Sequence, residues 1–446
     1  MTKIELNEGQ GAALREILEA RDAGRARHLL TGYAGTGKTT LMQAVVRELK
    51  ALKLAVAVTA PTHKAVQVLA GKLGEAGLGD VHTMTIHSLL GLKPAAGEGE
   101  RSILKRGDKS RSAFYDVVVI DECSMIGSDL QGFIDNDLRR HFVLYVGDPA
   151  QLPPVGEVAA PCFSITSRSN LSAIVRQAAG NPILQAATKL REQQSGPVDW
   201  SWTEASESPP CGVYLASDDA SAWMQGAFTS DEFKANNDAF RYIAYTNETV
   251  HRVNEQVRQW IYGHTDTPFV PGERVLCRKP VLNERGLPAF NTNEEATVTS
   301  ISAGTHTLHF SKQKAAADRR ALDAWEHHLP VWRVTLRGDG DEPLVVTCNL
   351  PFNRDDVKAL DRRLVSEAKA NKGRWYERFQ FLENVTDLRS VYAQTVHSSQ
   401  GSTFDNVFLD VRDCSKLERS DPLQMQQLLY VAVTRPRYAL VLVGAM

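Results

Sequence analysis

Gly32-Tyr33-Ala34-Gly35-Thr36-Gly37-Lys38-Thr39 matches G-x-x-x-x-G-K-[ST] at every fixed position. That spacing suits a phosphate. Glycines let the backbone curl until several N–H groups converge on anionic oxygens, and a helix starting at the lysine adds the positive end of its dipole. In such a loop Lys38 reaches the β- and γ-phosphates and the Thr39 hydroxyl ligates magnesium. Gly32, Gly35, Thr36, Gly37 and Thr40 complete the candidate nucleotide-binding set. An acidic pair, Asp121-Glu122, closes the apolar run that begins at Val117. Asp121 is placed to hold magnesium, through water, and Glu122 to orient or deprotonate an attacking water. Together these residues spell nucleoside-triphosphate hydrolysis.

Such groups need a rigid scaffold. Short apolar runs bounded by turn residues recur: His28-Leu29-Leu30-Thr31, Ala55-Val56-Ala57-Val58, Val117-Val118-Val119-Ile120 and Phe142-Val143-Leu144-Tyr145-Val146. Unbroken apolar runs mark strands covered on both faces, hence a parallel sheet. Helical periodicity at 39–52 and 63–73 lies between them, so the class is α/β. Residues 93–112 break the pattern and read as a small inserted hairpin, with five basic residues and one acid in 101–111. The stretch 199–233 carries seven acids and no Lys or Arg, and reads as a solvated face or loop. A second α/β signal starts at Ala239-Phe240-Arg241-Tyr242-Ile243 and returns after Val385. Between these lie an antiparallel β unit at 268–350, a helix-like interruption at 313–328 and a polar helical segment at 354–383.

The chain has 446 residues, room for about two to four domains. Its 51 basic and 53 acidic residues give a net charge of −2, which excludes a protein that grips nucleic acid by bulk positive charge. A local basic channel is compatible with that balance. None of the six cysteines stands at a C-x-x-C spacing, which argues against a zinc ribbon and suits a reduced compartment. The N-terminus has no apolar signal region and no stretch nears the ~18 apolar residues of a membrane helix. The expected setting is cytoplasmic, in a bacterium or a phage-infected host, with no membrane partner.

Further motifs narrow the class. Gly147-Asp148-Pro149-Ala150-Gln151-Leu152-Pro153-Pro154 follows the fourth apolar run. Near the C-terminus stand Thr395-Val396-His397-Ser398-Ser399-Gln400-Gly401-Ser402-Thr403-Phe404-Asp405 and Leu429-Tyr430-Val431-Ala432-Val433-Thr434-Arg435. In this order the set resembles superfamily 1 helicases of the RecD-like branch, most closely its Dda group, from Gln10 to the C-terminus. The resemblance implies two RecA-like P-loop lobes, with ATP and Mg2+ in the cleft between them. It also implies 5′→3′ movement on single-stranded DNA and unwinding of duplex DNA. Gln10 resembles the adenine-reading glutamine, whose amide can pair with N6 and N7 of the base. Gln151 resembles the γ-phosphate sensor. Arg176, in Leu171-Ser172-Ala173-Ile174-Val175-Arg176-Gln177, and Arg435 resemble two arginine fingers, while Gln400 and Gly401 face the nucleotide. A guanidinium from the second lobe couples hydrolysis to lobe closure. Pro436 departs from the pattern, because a proline restricts the residue before it.

The same resemblance assigns a nucleic-acid path. Pro61, Thr62, His63 and Lys64 contact the DNA backbone, with His87 in the companion motif Thr85-Ile86-His87-Ser88-Leu89 and Thr395, His397 and Ser398 in the second lobe. The hairpin matches the place of a strand-separating pin, with Ile103 and Leu104 as an apolar wedge. The implied domains are a first lobe at 1–92 and 113–165, the pin at 93–112, a second lobe at 166–267 and 385–446, and an SH3-like β module with a helical arm at 268–384. The expected partners are single-stranded DNA, single/double-strand junctions and single-strand-binding, replisome or recombination proteins, with the enzyme a monomer. Two alternatives stay open: an RNA helicase of the same superfamily, and an ATPase subunit of a recombination or repair assembly without unwinding of its own. Backbone-contacting motifs discriminate DNA from RNA poorly.

Overall fold

The computed structural model describes residues 5–96, 102–107, 109–175, 180–193, 198, 200, 204–207, 210–216, 220–283, 286, 288–315, 317–339 and 343–444. Two compact units are present, Met1–Val257 with Tyr392–Met446, and Arg258–Val391. The fold class is α/β, with two parallel-sheet, RecA-like lobes in the first unit.

The first lobe is built on β1 (Arg27–Gly32), β2 (Val56–Ala60), β3 (His82–Thr85), β6 (Val117–Ile120), β7 (Phe142–Gly147) and β8 (Arg168–Leu171), with β4 (Leu92–Ala96) and β5 (Ser102–Arg106) forming the inserted hairpin. The sheet order is β3-β2-β6-β7-β1-β8, and every pairing is parallel. The run Val117–Ile120 is apolar at every position because both sides of the sheet are covered. Val117 and Val119 pack with Ile17, Leu41, Val45 and Leu69, whereas Val118 and Ile120 pack with Ile86, Leu89, Leu130 and Ile134. β8 moves the expected lobe boundary, since the first sheet runs past residue 165 to Leu171. It lies at the sheet edge and buries only alternate residues, Ser169 and Leu171, so it has no continuous apolar run to reveal it.

β9 (Glu204–Glu207), β10 (Pro210–Ala216) and β11 (Phe240–Ala244) follow. The acidic stretch is therefore not a loop: its described part forms two strands and the helices Ala220–Thr229 and Asp231–Ala235. Cys211, Val213, Met224, Phe228 and Phe233 are buried, while Asp231 and Glu232 occupy the first turn of a helix, where the macrodipole favours them.

The second unit holds β12 (Arg274–Cys277), β13 (Val281–Leu282), β14 (Pro288–Phe290), β15 (Glu295–Phe310), β16 (Trp325–Arg337), β17 (Val345–Pro351) and β18 (Leu388–Ser390). Its main sheet, β17-β16-β15-β12-β18, is antiparallel. Two expectations change here. The described residues of 313–328 are not helical: Gln313 bridges to Leu322, and β16 starts at Trp325 against Phe310. The stretch is rich in helix formers, Ala, Arg, Lys and Leu, but tertiary pairing overrides that propensity, through the Gln313–Leu322 bridge and the pairing of Trp325–His328 with β15. The module also extends beyond residue 384, because Leu388–Ser390 pairs with β12. The polar segment forms two helices, Arg354–Ala370 and Arg374–Asn384.

The chain then returns for β19 (Ala393–Thr395), β20 (Phe404–Asp410) and β21 (Pro436–Val443), giving the second lobe the order β19-β11-β20-β21-β10-β9. Only β9 runs antiparallel to its neighbour. No described helix is long and apolar enough to cross a membrane. All six cysteines are buried free thiols.

Candidate active site and nucleic-acid face

The phosphate loop lies between the end of β1 and the helix Lys38–Ala51. Gly35 and Gly37 have φ of 78° and 79°, a region that side chains resist. A Cβ on Gly37 would clash with Gln10 Nε2. Lys38 Nζ donates to the Gly32 and Tyr33 carbonyls (2.6 and 3.1 Å) and stands 3.9 Å from Asp148 Oδ2. A cleft of about 240 Å³ opens beside it. Lys38, Thr39, Asp121, Glu122, Asp148 and Gln151 line it from the first lobe, and Gly401, Ser402, Thr403, Thr434 and Arg435 from the second.

Asp121 lines the cleft and is half-buried. That burial and the neighbouring Glu122 push its carboxyl up to about 7, against the pull of Lys38 and Lys72. Glu122 holds the left-handed conformation, φ 52°, uncommon for a side-chain residue and characteristic of functional strain. Among the described residues no group of three or more His, Cys, Asp or Glu could hold a metal unaided. Magnesium prefers few carboxylates plus phosphate oxygens and water, and a cation beside Asp121 would relieve the cost of its charge. Thr39 and Asp121 therefore fit the ion.

Other assigned residues have distinct surroundings. Gln10 is buried and its amide is fully engaged. Its Oε1 accepts from Asn7 N–H (3.0 Å) in a capping box, and its Nε2 donates to the carbonyls of Gly37 and Thr36 (3.3 and 3.4 Å). The Asn-x-x-Gln spacing that signals this cap was legible in the sequence. Thr36 Oγ1 donates to Tyr33 O (2.8 Å), bracing the loop. Thr40 is the third residue of the helix and does not line the cleft. Gln151 Oε1 accepts from Ser124 Oγ (3.2 Å). Gln400 is buried beside the cleft-lining Gly401, and its Nε2 has no hydrogen-bond partner among the described residues. Arg176 lies outside the described residues.

Arg435 is buried and heavily wired. Its Nε donates to Val431 O (2.9 Å), Nη1 to Ser402 O (3.1 Å) and Nη2 to Thr434 Oγ1 (2.9 Å). Burial lowers its pKa, and Glu122 opposes that. Pro436 opens β21, a strand start where its missing N–H costs no ladder bond, and the Arg435 carbonyl still accepts from Phe404 N–H (3.0 Å). Lys72, Asp148, Ser402 and Thr403 also line the cleft and carried no assigned role.

The nucleic-acid motifs stand at the carboxyl ends of parallel strands. Thr62 caps the helix His63–Glu75, Thr85 caps Ile86–Leu90 and Thr395 caps Val396–Ser399, each through its hydroxyl. Thr85-Ile86-His87-Ser88 and Thr395-Val396-His397-Ser398 repeat one pattern on the edge strand of each lobe. Burial lowers the pKa of His87 and of His397, and His63 lowers that of His87 further. Both rings are thus neutral donors rather than charges at pH 7. Lys64 lies 3.9 Å from Asp238 and 4.7 Å from the centre of the Phe404 ring, so this first-lobe lysine reaches the second lobe. Gly401, φ 71°, lets the second-lobe loop approach the same helix, where a Cβ would lie 3.1 Å from Ala65 Cβ. Pro61 precedes the capping Thr62 and its backbone bonds to His87.

In the hairpin, β4 and β5 pair from Leu92↔Arg106 to Ala96↔Ser102. Residues 97–101, and the side chain of Ile103, lie outside what is described. Leu104 is corrected as a wedge: half-buried, it packs against the first-lobe core, and an ion pair between Arg106 and Asp137 fastens the same strand. Leu104 anchors the hairpin instead of tipping it.

Two family models match the chain in order: an AAA domain over residues 5–205 and a UvrD-like helicase C-terminal domain over 390–443. The chain is similar to the ATP-dependent DNA helicase dda of Enterobacteria phage T4, 24% identical across 98% of this chain and 99% of that protein. It is also similar to the ATP-dependent DNA helicase Pif1 of Psychrobacter sp., 25% identical across 91% of this chain and 63% of that one. The ATP-dependent RecD2 DNA helicase of Deinococcus radiodurans is 34% identical over 42% of this chain and 24% of its own. A solved structure of Pif1 helicases at forked double-stranded DNA shares the fold, with a TM-score of 0.50 and 17% identity over 98% of this chain and 92% of that one. The ordered motifs, the two-lobed cleft and this kinship support a superfamily 1 helicase close to the Dda, Pif1 and RecD-like proteins.

Proposed function

We propose that the chain is an ATP-dependent DNA helicase that moves 5′→3′ along single-stranded DNA and separates duplex DNA ahead of it. The observation that carries this is the single cleft lined by both lobes, with Lys38, Glu122 and Gln151 on one side and Arg435 on the other. A bond broken there is felt by both lobes, and each lobe carries a Thr-x-His-Ser motif at a strand end. The DNA substrate and the polarity rest on kinship with the phage and Pif1 helicases.

The residue roles follow from their chemistry. The loop 32–37 presents backbone N–H groups to the triphosphate, and Lys38 leaves its loop carbonyls to meet the β- and γ-phosphates. Magnesium, when bound with the nucleotide, would be held by Thr39 and Asp121 and would neutralise charge on the phosphate oxygens. Glu122 orients the attacking water and takes up its proton. Arg435 supplies positive charge where it builds up on the transferred group, and Gln151 links that group to Ser124. Gln10 fixes the loop by holding the Thr36 and Gly37 carbonyls, and can serve the base only by exchanging those bonds. Single-stranded DNA and its junctions with duplex are the ligands, and a monomer is the acting unit.

ATP hydrolysis by the purified chain, measured with and without single-stranded DNA and RNA, tests this. Stimulation by DNA supports it. Hydrolysis indifferent to single strands removes the motor, and stimulation by RNA alone makes it an RNA enzyme.

A further inference from the structure

Tyr430 belongs to the second lobe, on the helix Pro422–Val433 that leads directly into Thr434 and Arg435. Its ring is buried in that lobe's core, yet its hydroxyl bonds only to the first lobe among the contacts described. It accepts from the N–H of Ala34, within the phosphate loop (2.9 Å), and donates to Asp148 Oδ2 (2.7 Å). Asp148 is itself buried, and its Oδ1 accepts from Ala150 N–H (2.9 Å). The same Oδ2 lies 3.9 Å from Lys38 Nζ. Ala34 and Ala150 also pack against the second-lobe core, in which Leu152 is buried.

The direction of each bond is fixed. Burial and the adjoining Asp148 raise the Tyr430 pKa, so the phenol keeps its proton. A neutral phenol that accepts from a backbone N–H has one proton to give, and Asp148 takes it. The order is Ala34 N–H, Tyr430 O–H, Asp148 carboxylate, Lys38 ammonium. Burial raises the Asp148 pKa, while Lys38 and the Tyr430 bond oppose that and Glu122 adds to it. The hydroxyl thus helps keep Asp148 charged and aimed at the lysine. Packing alone would be satisfied by phenylalanine.

We propose that Tyr430 is a positioning residue for ATP hydrolysis: acting through Asp148, it sets where Lys38 stands when the second lobe, and with it Arg435, meets the phosphate loop. This rests on the ATPase reading given above. The hydroxyl touches neither nucleotide nor DNA in this role. It makes the placement of the lysine depend on where the second lobe lies.

The test is steady-state ATP hydrolysis, with single-stranded DNA present, by the wild type, Tyr430→Phe, Asp148→Asn and the double variant, each checked by thermal melting. Tyr430→Phe is expected to lower kcat about tenfold, the scale of one well-placed buried hydrogen bond, and to leave KM for ATP within about twofold. Asp148→Asn is expected to lower kcat at least as much, and the double variant no further than Asp148→Asn alone. A Tyr430→Phe enzyme with wild-type kcat overturns the proposal. So does a loss confined to KM, or a double variant whose losses multiply, since the tyrosine would then not act through Asp148. A wild type that hydrolyses no ATP defeats the ATPase reading instead, and is told apart by that control.

Discussion

Arg435 offers a sharp test because it has a structural task in its hydrogen bonds and a catalytic one in the proposed function. Arg435→Ala removes the donors to Val431 O, Ser402 O and Thr434 Oγ1. Val431 O keeps the Thr434 hydroxyl (2.8 Å), so Ser402 O is the carbonyl that loses most. One under-satisfied buried carbonyl costs about 1–3 kcal/mol, and the emptied space of the side chain adds to it. The desolvation cost of the guanidinium disappears and offsets part of this. The net loss is about 2–4 kcal/mol, or a fall of roughly 3–6 °C in Tm for a unit of about 310 residues. The catalytic loss is separable: removing an arginine finger costs about 10³ or more in kcat. Arg435→Lys keeps the charge and loses the planar fork, so it should recover part of the stability and little of the rate. Calorimetry and ATP turnover on both variants decide. An Arg435→Ala enzyme that melts early but turns over ATP at a near-normal rate below its Tm shows a purely structural arginine, and the finger reasoning fails.

Gly37→Ala combines an unfavourable φ with a Cβ that meets Gln10 Nε2, so nucleotide binding measured by titration calorimetry should weaken at least tenfold. Unchanged affinity would mean that the loop has room the geometry denies. Glu122→Gln should lower kcat by about 10²–10⁴ while nucleotide binding persists, and an active variant removes the proposed base. His87 and His397 are held below the ordinary 6.5 by burial, so their neutral forms favour folding above that pH. The wild type should therefore lose stability as pH falls through 6.5 and below, and His87→Gln should lose less over the same range in urea melts. Parallel curves for the two proteins would contradict that sign.

The parts legible in the sequence were those whose chemistry dictates residue type. Backbone curvature demands Gly35 and Gly37, and strands covered on both faces demand the unbroken run Val117–Ile120. The first-lobe sheet and its cleft followed from those. Features set by long-range pairing were hidden. β8 buries only alternate residues, and the start of β16 at Trp325 is set by its pairing with Phe310 across the connection 311–324. In the acidic stretch the described acids, Asp231 and Glu232, are exposed as a solvated face would have them, whereas its loop reading failed because Cys211, Val213, Met224, Phe228 and Phe233 give its elements apolar inner positions. Leu104 was misjudged because its neighbour across the hairpin is local, whereas the core it enters is not. Gln10 carried a local capping signal that was outweighed by its motif. Tyr430 looks in sequence like one more apolar position of a buried helix, and nothing local tells that its hydroxyl bonds to another lobe.

The most direct measurement is strand separation of matched DNA duplexes that differ only in tail, 5′ or 3′, with ATP and magnesium and an excess of enzyme. The account predicts unwinding of the 5′-tailed duplex, little of the 3′-tailed one, and none by Lys38→Ala. Unwinding that requires a 3′ tail, or that persists without Lys38, would contradict it.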